Sequence, residues 1–332
     1  MNFKLLGRLF LGLALLSCAC DVGEGERETL LVAGIYTTSL ENPWAQTLHQ
    51  TLRRSQEDLG MAYAWSENVS STRFPEIVRD YVSRGYRVIV GDCFRAEVAA
   101  REVAREFPGI LFCLGSELSP VPPNFSVVGA GLQEPAYLCG LMAARMSSSG
   151  KVGVVAAEAC PSINRIVNAF RAGAARGRPD VEVLIEYSGR GDGAFSEGAG
   201  ETVGRLRSRG ADAVLAERPG AVAACAQSPA IPVFGCYADL SDLSPLNVIS
   251  GAVWDPSPVL QASVEMARSG RLRPLVFSYL GTMALEGAFL APYHGHEADL
   301  PAGLAGEIAA LRDEILTGRF RVAVDESPPP LR

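Results

Sequence analysis

A tryptophan at the start of a predicted helix is the residue best placed to bind a ligand. The apolar segment from Leu30 to Ile35 is too short for a helix and predicts a buried β-strand. After a polar turn, Asn42-Pro43 supplies a capping side chain and a preset φ angle, so a helix should begin there. Trp44 then lies in the first turn, at the carboxyl end of a strand. Its indole could stack on a flat ligand or pack against the sheet, and the sequence leaves both open.

Sequence motifs for catalysis and metal binding are absent. There is no G-x-S-x-G elbow, no glycine-rich phosphate loop with a lysine, and no dinucleotide-binding fingerprint after the first strand. The cysteines beyond residue 20 form no C-x-x-C pair and lie mostly in apolar segments, which is typical of small buried side chains. His294 and His296 flank one glycine and are only a weak metal hint. We therefore predict a binding protein rather than an enzyme, with no cofactor and no metal.

The first residues resemble a bacterial lipoprotein signal. Lys4 and Arg8 flank and interrupt an apolar run that is too short to span a bilayer. The run ends in Leu15-Leu16-Ser17-Cys18, which resembles a lipobox. We predict a signal peptide over residues 1–17 and lipidation of Cys18, with an uncleaved anchor or plain secretion as the alternative.

The mature chain is predicted to be acidic and attached to the cell envelope. Residues 18–29 are rich in Gly, Glu and Asp, which indicates a flexible lipidated tether. Loss of Lys4 and Arg8 lowers the basic residues from 30 to 28, against 37 acidic ones, for a net charge near −9. This charge argues against nucleic acid as a partner. We expect a monomer anchored by lipid to a bacterial membrane, facing the periplasm or the exterior.

Strand and helix patterns predict the fold class. Short apolar strands alternate with helices of roughly 10–15 residues, which is typical of α/β proteins with parallel sheets covered on both faces. The series restarts near Gly131, so we predict two doubly wound parallel-sheet lobes joined by a hinge, with a ligand cleft between the lobes. The predicted N-terminal lobe is 30–131 plus 240–276, and the C-terminal lobe is 132–239 plus 277–332. Hinge closure is expected about residues near Gly131 and Asp239.

Several sequence blocks carry a resemblance to a known family. They are RGYRVIVGDCFRAEVAAREVAREFPGILF (Arg84 to Phe112), EPAYLCGLMAARMSSSGKVGVVA (Glu134 to Ala156), RIVNAFRAGA (Arg165 to Ala174), RGADAVLAE (Arg209 to Glu217) and SGAVWD (Ser250 to Asp255). From about Leu30 to Glu326 the chain resembles the basic membrane lipoprotein family, solute-binding components of ABC importers that include purine nucleoside receptors. The resemblance implies the fold of type I periplasmic binding proteins, and permease and ATPase subunits as partners.

The resemblance also implies a flat base held between an aromatic residue of each lobe, with carboxylates at its edge. Stacking on a base contributes on the order of 1–3 kcal/mol, and carboxylates orient a ligand through its N–H and O–H groups. The stacking candidates in this sequence are Trp44, Phe94 and Trp254, and the acidic candidates are Asp92, Glu217 and Asp239. For Asp92, a helix cap is the alternative.

Two loops depart from the family's pattern. In the first loop, Tyr36, Thr37 and the following threonine stand where the family has acidic residues, which weakens the case for ribose recognition. In the second lobe, Gly191-Asp192 stands where relatives carry an aromatic residue followed by an acid. Asp192 is therefore a binding candidate, and Phe195 is the residue that could replace the missing aromatic ring.

The predicted function is capture of a purine nucleoside or nucleobase for an ABC importer. Riboflavin, another flat heterocycle with a polyol tail, is the alternative ligand. A ligand-sensing surface lipoprotein that is not coupled to transport is the alternative of another class. Genes for an ATPase and two permease subunits beside this gene would favour transport.

The anchor can be tested by substitution of the predicted lipidated residue. Cys18→Ser should move the protein from the membrane to the soluble fraction, because stable anchoring needs the several acyl chains that a bacterial lipoprotein carries. Fractionation with metabolic acyl labelling measures this. Acyl label that remains on the Cys18→Ser protein would show that another residue is the anchor.

Overall fold

The computed structural model describes residues 28–189, 198–227 and 231–330. Its first β-sheet has parallel strands in the order β2-β1-β3-β4-β5. The strands are β1 (Leu30–Ile35), β2 (Met61–Ser66), β3 (Val88–Asp92), β4 (Leu111–Gly115) and β5 (Phe125–Val128). The connecting helices are α1 (Pro43–Arg54), α2 (Phe74–Ser83) and α3 (Glu97–Glu106).

The second sheet has the order β11-β10-β9-β8-β6-β7; β11 runs antiparallel to β10 and the other pairs are parallel. Its strands are β6 (Lys151–Ala156), β7 (Glu182–Tyr187), β8 (Val214–Ala216), β9 (Val233–Tyr237), β10 (Val248–Trp254) and β11 (Ala288–Leu290). The helices of this half are α4 (Gln133–Met146), α5 (Pro161–Gly177), α6 (Ala199–Ser208), α7 (Pro219–Cys225) and α9 (Leu304–Leu316), whereas α8 (Ser257–Ser269) returns to the first sheet. The predicted α/β fold with two parallel-sheet lobes is confirmed.

Helices cover both faces of each sheet, which explains why the central strands are mostly apolar instead of alternating. Every residue of β3, β4 and β9 is buried. One hydrophobic cluster continues from the first sheet into the second, whereas the outer face of each sheet has a cluster of its own. In the described ranges the cysteines are unpaired, and no helix is long and apolar enough to cross a membrane.

The described chain crosses between the sheets three times. It passes from β5 to α4 through residues 129–132, from β10 to α8 through residues 255–256, and back to the second sheet after residue 281. Helix α8 lies on the first sheet, where Ser263 Oγ is 3.2 Å from Cys113 Sγ of β4.

Two expectations about the lobe boundaries are wrong. The sequence predicts residues 240–276 in the N-terminal lobe; α8 does lie on the first sheet, but β10 pairs with β9 and β11 in the second. Asp239 is predicted near the hinge, but the strands before and after it both belong to the second sheet, and the crossover lies beyond Trp254. The reason is that an apolar strand buried on both faces fits either sheet, so its pattern does not identify its neighbour.

Gly131, also predicted near the hinge, does lie at a crossover. A Cβ atom on Gly131 would lie 2.7 Å from the carbonyl oxygen of Gly281, and one on Gly281 would lie 2.6 Å from the nitrogen of Gly131. Both contacts are with backbone atoms, so only glycine allows the first and third crossovers to approach this closely.

Candidate functional site

A cavity of about 380 Å³ lies between the two sheets, at the carboxyl ends of their parallel strands. Loops after β1, β3, β4 and β5 form one wall, and loops after β6, β8 and β9 form the other. This is the edge at which parallel α/β sheets bind ligands. The lining side chains include Trp44, Phe94, Glu117, Ser162, Glu217 and Tyr237.

Trp44 both lines this cavity and packs into the protein. The side chain of Asn42 caps α1 by accepting from the N–H groups of Trp44 and Ala45 at 3.0 and 3.4 Å. The Trp44 ring stacks on Trp254, with centroids 5.2 Å apart, and meets Phe94 edge to face at 5.6 Å. Only 7% of Trp44 is exposed. The indole therefore packs into the protein and also presents part of its surface to the cavity, so stacking on a ligand stays a prediction.

The other two predicted stacking residues differ in their access to the cavity. Phe94 is 36% exposed and lines the cavity. Trp254 is 2% exposed and lies behind Trp44, so its predicted contact with ligand is corrected to a supporting role. Gly115 leaves space for the rings of Trp44 and Phe94, since a Cβ atom there would lie 2.7 Å from Cη2 of Trp44.

Asp92 and Thr37 hold two loops together instead of lining the cavity. The buried carboxylate of Asp92 accepts from the N–H of Thr37 at 3.2 Å, from the hydroxyls of Thr37 and Thr38, and from the N–H of Phe94. Burial raises the pKa of Asp92 to about 6, although these hydrogen bonds oppose the shift. Thr37 and Asp92 therefore do not line the cavity, contrary to the prediction. Asp92 does not cap the next helix either, since Ala96 is the N-cap residue of α3. Thr37 and Asp92 fix the loops that carry Trp44 and Phe94.

Tyr36 is also buried away from the cavity. Its hydroxyl lies 3.0 Å from the hydroxyl of Tyr63, which lies 3.0 Å from Nδ1 of His49 on α1. Burial raises the pKa of Tyr36 well above its usual value. Because side chains alternate faces along a strand, the first residue after β1 points into the core. The predicted ligand contact of Tyr36 is therefore wrong.

Asp239 lies outside the cavity wall as well. Its Oδ2 is 2.7 Å from Nε2 of His294, and its Oδ1 accepts from the N–H of Ser241. Asp239 therefore joins two loops and does not line the cavity, contrary to the predicted hydrogen bond with a ligand. Two further predicted residues, Asp192 and Cys18, lie outside the described residues, as does Phe195.

Glu217 is the predicted acid that does line the cavity. It follows β8 and is 6% exposed. Its Oε2 accepts from the N–H of Ala157 at 2.8 Å and lies 3.4 Å from Nε of Arg218, while Oε1 bonds no residue of the described chain. Burial raises the pKa of Glu217, and Arg218 and the Ala157 hydrogen bond act in the opposite direction. The carboxylate thus has one acceptor atom to offer to a ligand.

Tyr237 is the lining residue that sequence reasoning missed. It ends β9 with a φ of 69°, a conformation that is uncommon for residues other than glycine and frequent at functional sites. The residue is 5% exposed, and its hydroxyl bonds no group in the part of the chain that the structure describes. The family resemblance directs attention to Asp239, two residues further along the chain. A strand extended to the end of the apolar run indicates Tyr237 instead.

The charges around the cavity favour a neutral or donor-rich ligand over an anion. Its lining glutamates are Glu41, Glu97, Glu117, Glu158 and Glu217, whereas its lining cations are Arg95 and Arg218. An excess of carboxylates repels anions and attracts N–H and O–H donors. Among the described residues, no cluster of His, Cys, Asp and Glu could hold a metal ion.

Comparisons with known proteins identify relatives of this chain. Residues 33–272 match the family described as ABC transporter substrate-binding protein PnrA-like. The chain is 24% identical over 164 residues to the ABC transporter nucleoside-binding protein BmpA of Lactococcus lactis. This match covers 49% of this chain and 46% of that protein. It is 22% identical over 254 residues to the putative ABC transporter glucose-binding protein TsgA13 of Haloferax volcanii, over 75% of this chain and 63% of that protein. The matched regions span less than two thirds of either relative.

Solved structures show the same fold. A solute-binding protein of an ABC transporter system from Conexibacter woesei superposes with a TM-score of 0.69. The match covers 89% of this chain and 99% of that chain, at 22% sequence identity. At this identity, the similarity concerns the fold alone.

The loop-holding role of Asp92 predicts a specific pH dependence of stability. Burial raises its pKa from 3.8 to about 6, so the folded protein binds more protons than the unfolded chain between these values. The contribution of Asp92 to the free energy of unfolding is fully present below its unfolded-state pKa of 3.8. This contribution is lost as the pH rises through its folded-state pKa of about 6. Asp92→Asn does not titrate. The unfolding free energy of wild type relative to Asp92→Asn should therefore fall from about pH 4 to about pH 7.

Urea unfolding of both proteins across this range measures the difference. The same substitution at the exposed Asp58 serves as the control. A difference that stays constant with pH would contradict the raised pKa of Asp92.

Proposed function

The chain belongs to the family of PnrA-like ABC transporter substrate-binding proteins, and we propose that it captures a purine nucleoside or nucleobase in the cleft between its lobes. Aromatic rings of one lobe supply stacking, and polar atoms of the other lobe supply orientation. The ligand is then delivered to the permease and ATPase subunits of an ABC importer.

The observation that carries this proposal is that one cavity brings aromatic rings of the first lobe opposite a carboxylate and a phenol hydroxyl of the second. Trp44 and Phe94 come from the first lobe, and Glu217 and Tyr237 come from the second. A planar heterocycle has a π face for the aromatic wall, and N–H and O–H groups along its edge for the polar wall. Two polar atoms at the cavity, Oε1 of Glu217 and Oη of Tyr237, are available to hydrogen-bond such a ligand.

The location follows from the family. Substrate-binding proteins of ABC transporters act outside the cytoplasm, where they meet their ligand. A lipid anchor at Cys18 would keep the protein at the membrane beside its permease. We propose that it works as a monomer, since one chain supplies both walls of the cavity.

Other ligands and another class of function remain as alternatives. Riboflavin also has a planar ring system and hydroxyl donors. The similarity to the putative glucose-binding protein of Haloferax favours a sugar as a second candidate, and carboxylates bind sugar hydroxyls as well. A sensor that passes ligand occupancy to a receptor other than a permease would use the same cleft.

Calorimetry distinguishes these ligands. The protein is unfolded in denaturant to release bound molecules, refolded, and titrated with purine nucleosides, purine bases, riboflavin and glucose. The proposal requires saturable binding of a purine. Binding of glucose alone, or of riboflavin alone, would assign the cleft to that ligand and overturn the purine proposal.

A single-atom substitution tests the polar wall. Tyr237→Phe should weaken binding of the purine about three- to tenfold, because it removes one hydrogen bond to the ligand. The melting temperature should not fall, because the hydroxyl bonds no described residue. Tyr279→Phe is the matched control, since Tyr279 is 53% exposed and does not line the cavity. An affinity equal to that of the control would remove Tyr237 from the site.

A further inference from the structure

Helix α5 receives its N-terminal cap from the opposite lobe. Its N-cap residue, Cys160, makes no side-chain capping hydrogen bond. Instead, the N–H and the hydroxyl of Ser162 donate to Oε2 and Oε1 of Glu117, at 3.2 and 2.6 Å. Glu117 lies in the loop after β4, on the first lobe. A carboxylate is favourable at this position because it accepts from free N–H groups and meets the positive end of the helix dipole.

The loop that carries Glu117 is fixed on its own lobe. The hydroxyl of the neighbouring Ser116 donates to Oε1 of Glu97 at 2.6 Å and accepts from Nη2 of Arg101 at 3.0 Å. Nε of Arg101 also donates to Oε1 of Glu97 at 2.6 Å. Because α3 holds this loop, the distance from Glu117 to α5 depends mainly on how the two lobes are arranged.

We propose that Glu117 is an interlobe clasp that stabilises the closed cleft before ligand binds. Its hydrogen bonds to Ser162 require the loop after β4 to reach the start of α5, so they are lost when the lobes separate. The next residues of α5 that line the cavity, Ile163 and Ile166, belong to the same two turns. The clasp therefore also positions one wall of the cavity.

The consequence for binding is a population shift. A clasp that favours the closed form raises the fraction of protein competent to retain ligand and so raises the apparent affinity. This inference rests on the proposed capture between lobes. Its test uses no ligand, however, so an error in the ligand assignment and an error in the clasp give different results.

Single-molecule energy transfer on ligand-free protein measures the ratio of closed to open molecules. Dyes are attached to the thiols introduced by Glu76→Cys on α2 and Glu201→Cys on α6, since both positions are exposed and lie on different lobes. Glu117→Ala should lower the ratio of closed to open molecules by about three- to thirtyfold, the equilibrium equivalent of one helix cap. Glu117→Gln keeps the shape and one acceptor, so its ratio should be intermediate.

A matched variant controls for loss of charge. Glu41 also lines the cavity from the first lobe, and its carboxylate has no hydrogen bond or ion pair to any described residue. Glu41→Ala should therefore leave the ratio unchanged. A double variant of Glu117→Ala with Ser162→Ala should open no further than Glu117→Ala alone, because both substitutions remove the same interaction.

The outcomes separate a clasp from a local structural role. A ratio in Glu117→Ala equal to that of Glu41→Ala overturns the proposal, even if the melting temperature falls. If Glu117→Ala does not fold, Glu117→Gln decides in its place, and an unchanged ratio in that variant also overturns the clasp. Additive opening by the Glu117 and Ser162 substitutions would show that the two residues act separately.

Discussion

Parallel pairing of the strands is the constraint from which the cavity arises. In a parallel sheet all strands end at the same edge, so every loop that follows a strand meets its neighbours there. The first sheet brings together the loops after β1, β3, β4 and β5, and the second sheet brings together those after β6, β8 and β9. Residues far apart in sequence, such as Trp44 and Tyr237, thereby reach one cavity.

Around this edge, some residues line the cavity and other, buried residues hold them in position. Asp92 connects two loops with hydrogen bonds, and Trp254 lies against one face of Trp44. Neither residue needs to touch the ligand to matter, because each fixes a group that lines the cavity. One hydrophobic cluster joins both lobes behind the cleft, and the hydrogen bond between Ser162 and Glu117 joins them at the cavity.

The sequence predicts the two sheets and the end of each sheet at which the site lies, because strand patterns and loop positions are local properties. It does not predict how deeply a side chain is buried or towards which side of the sheet it points. Tyr36 directly follows β1 and Asp92 ends β3, but both side chains point into the protein. A shift of one residue along a strand reverses the face that a side chain occupies. The family resemblance named Asp239, whereas the cavity is lined by Tyr237, two residues earlier. Contacts between lobes, such as Glu117 with Ser162, depend on tertiary arrangement and leave no sequence pattern.

The central claim is that the cleft holds a planar heterocycle. The most direct measurement is mass spectrometry of the small molecules released by denaturation from protein purified from its native host without added ligand. The account predicts a purine nucleoside or nucleobase in near-stoichiometric amount. Recovery of a molecule without a planar ring, such as a sugar, in that amount would contradict it.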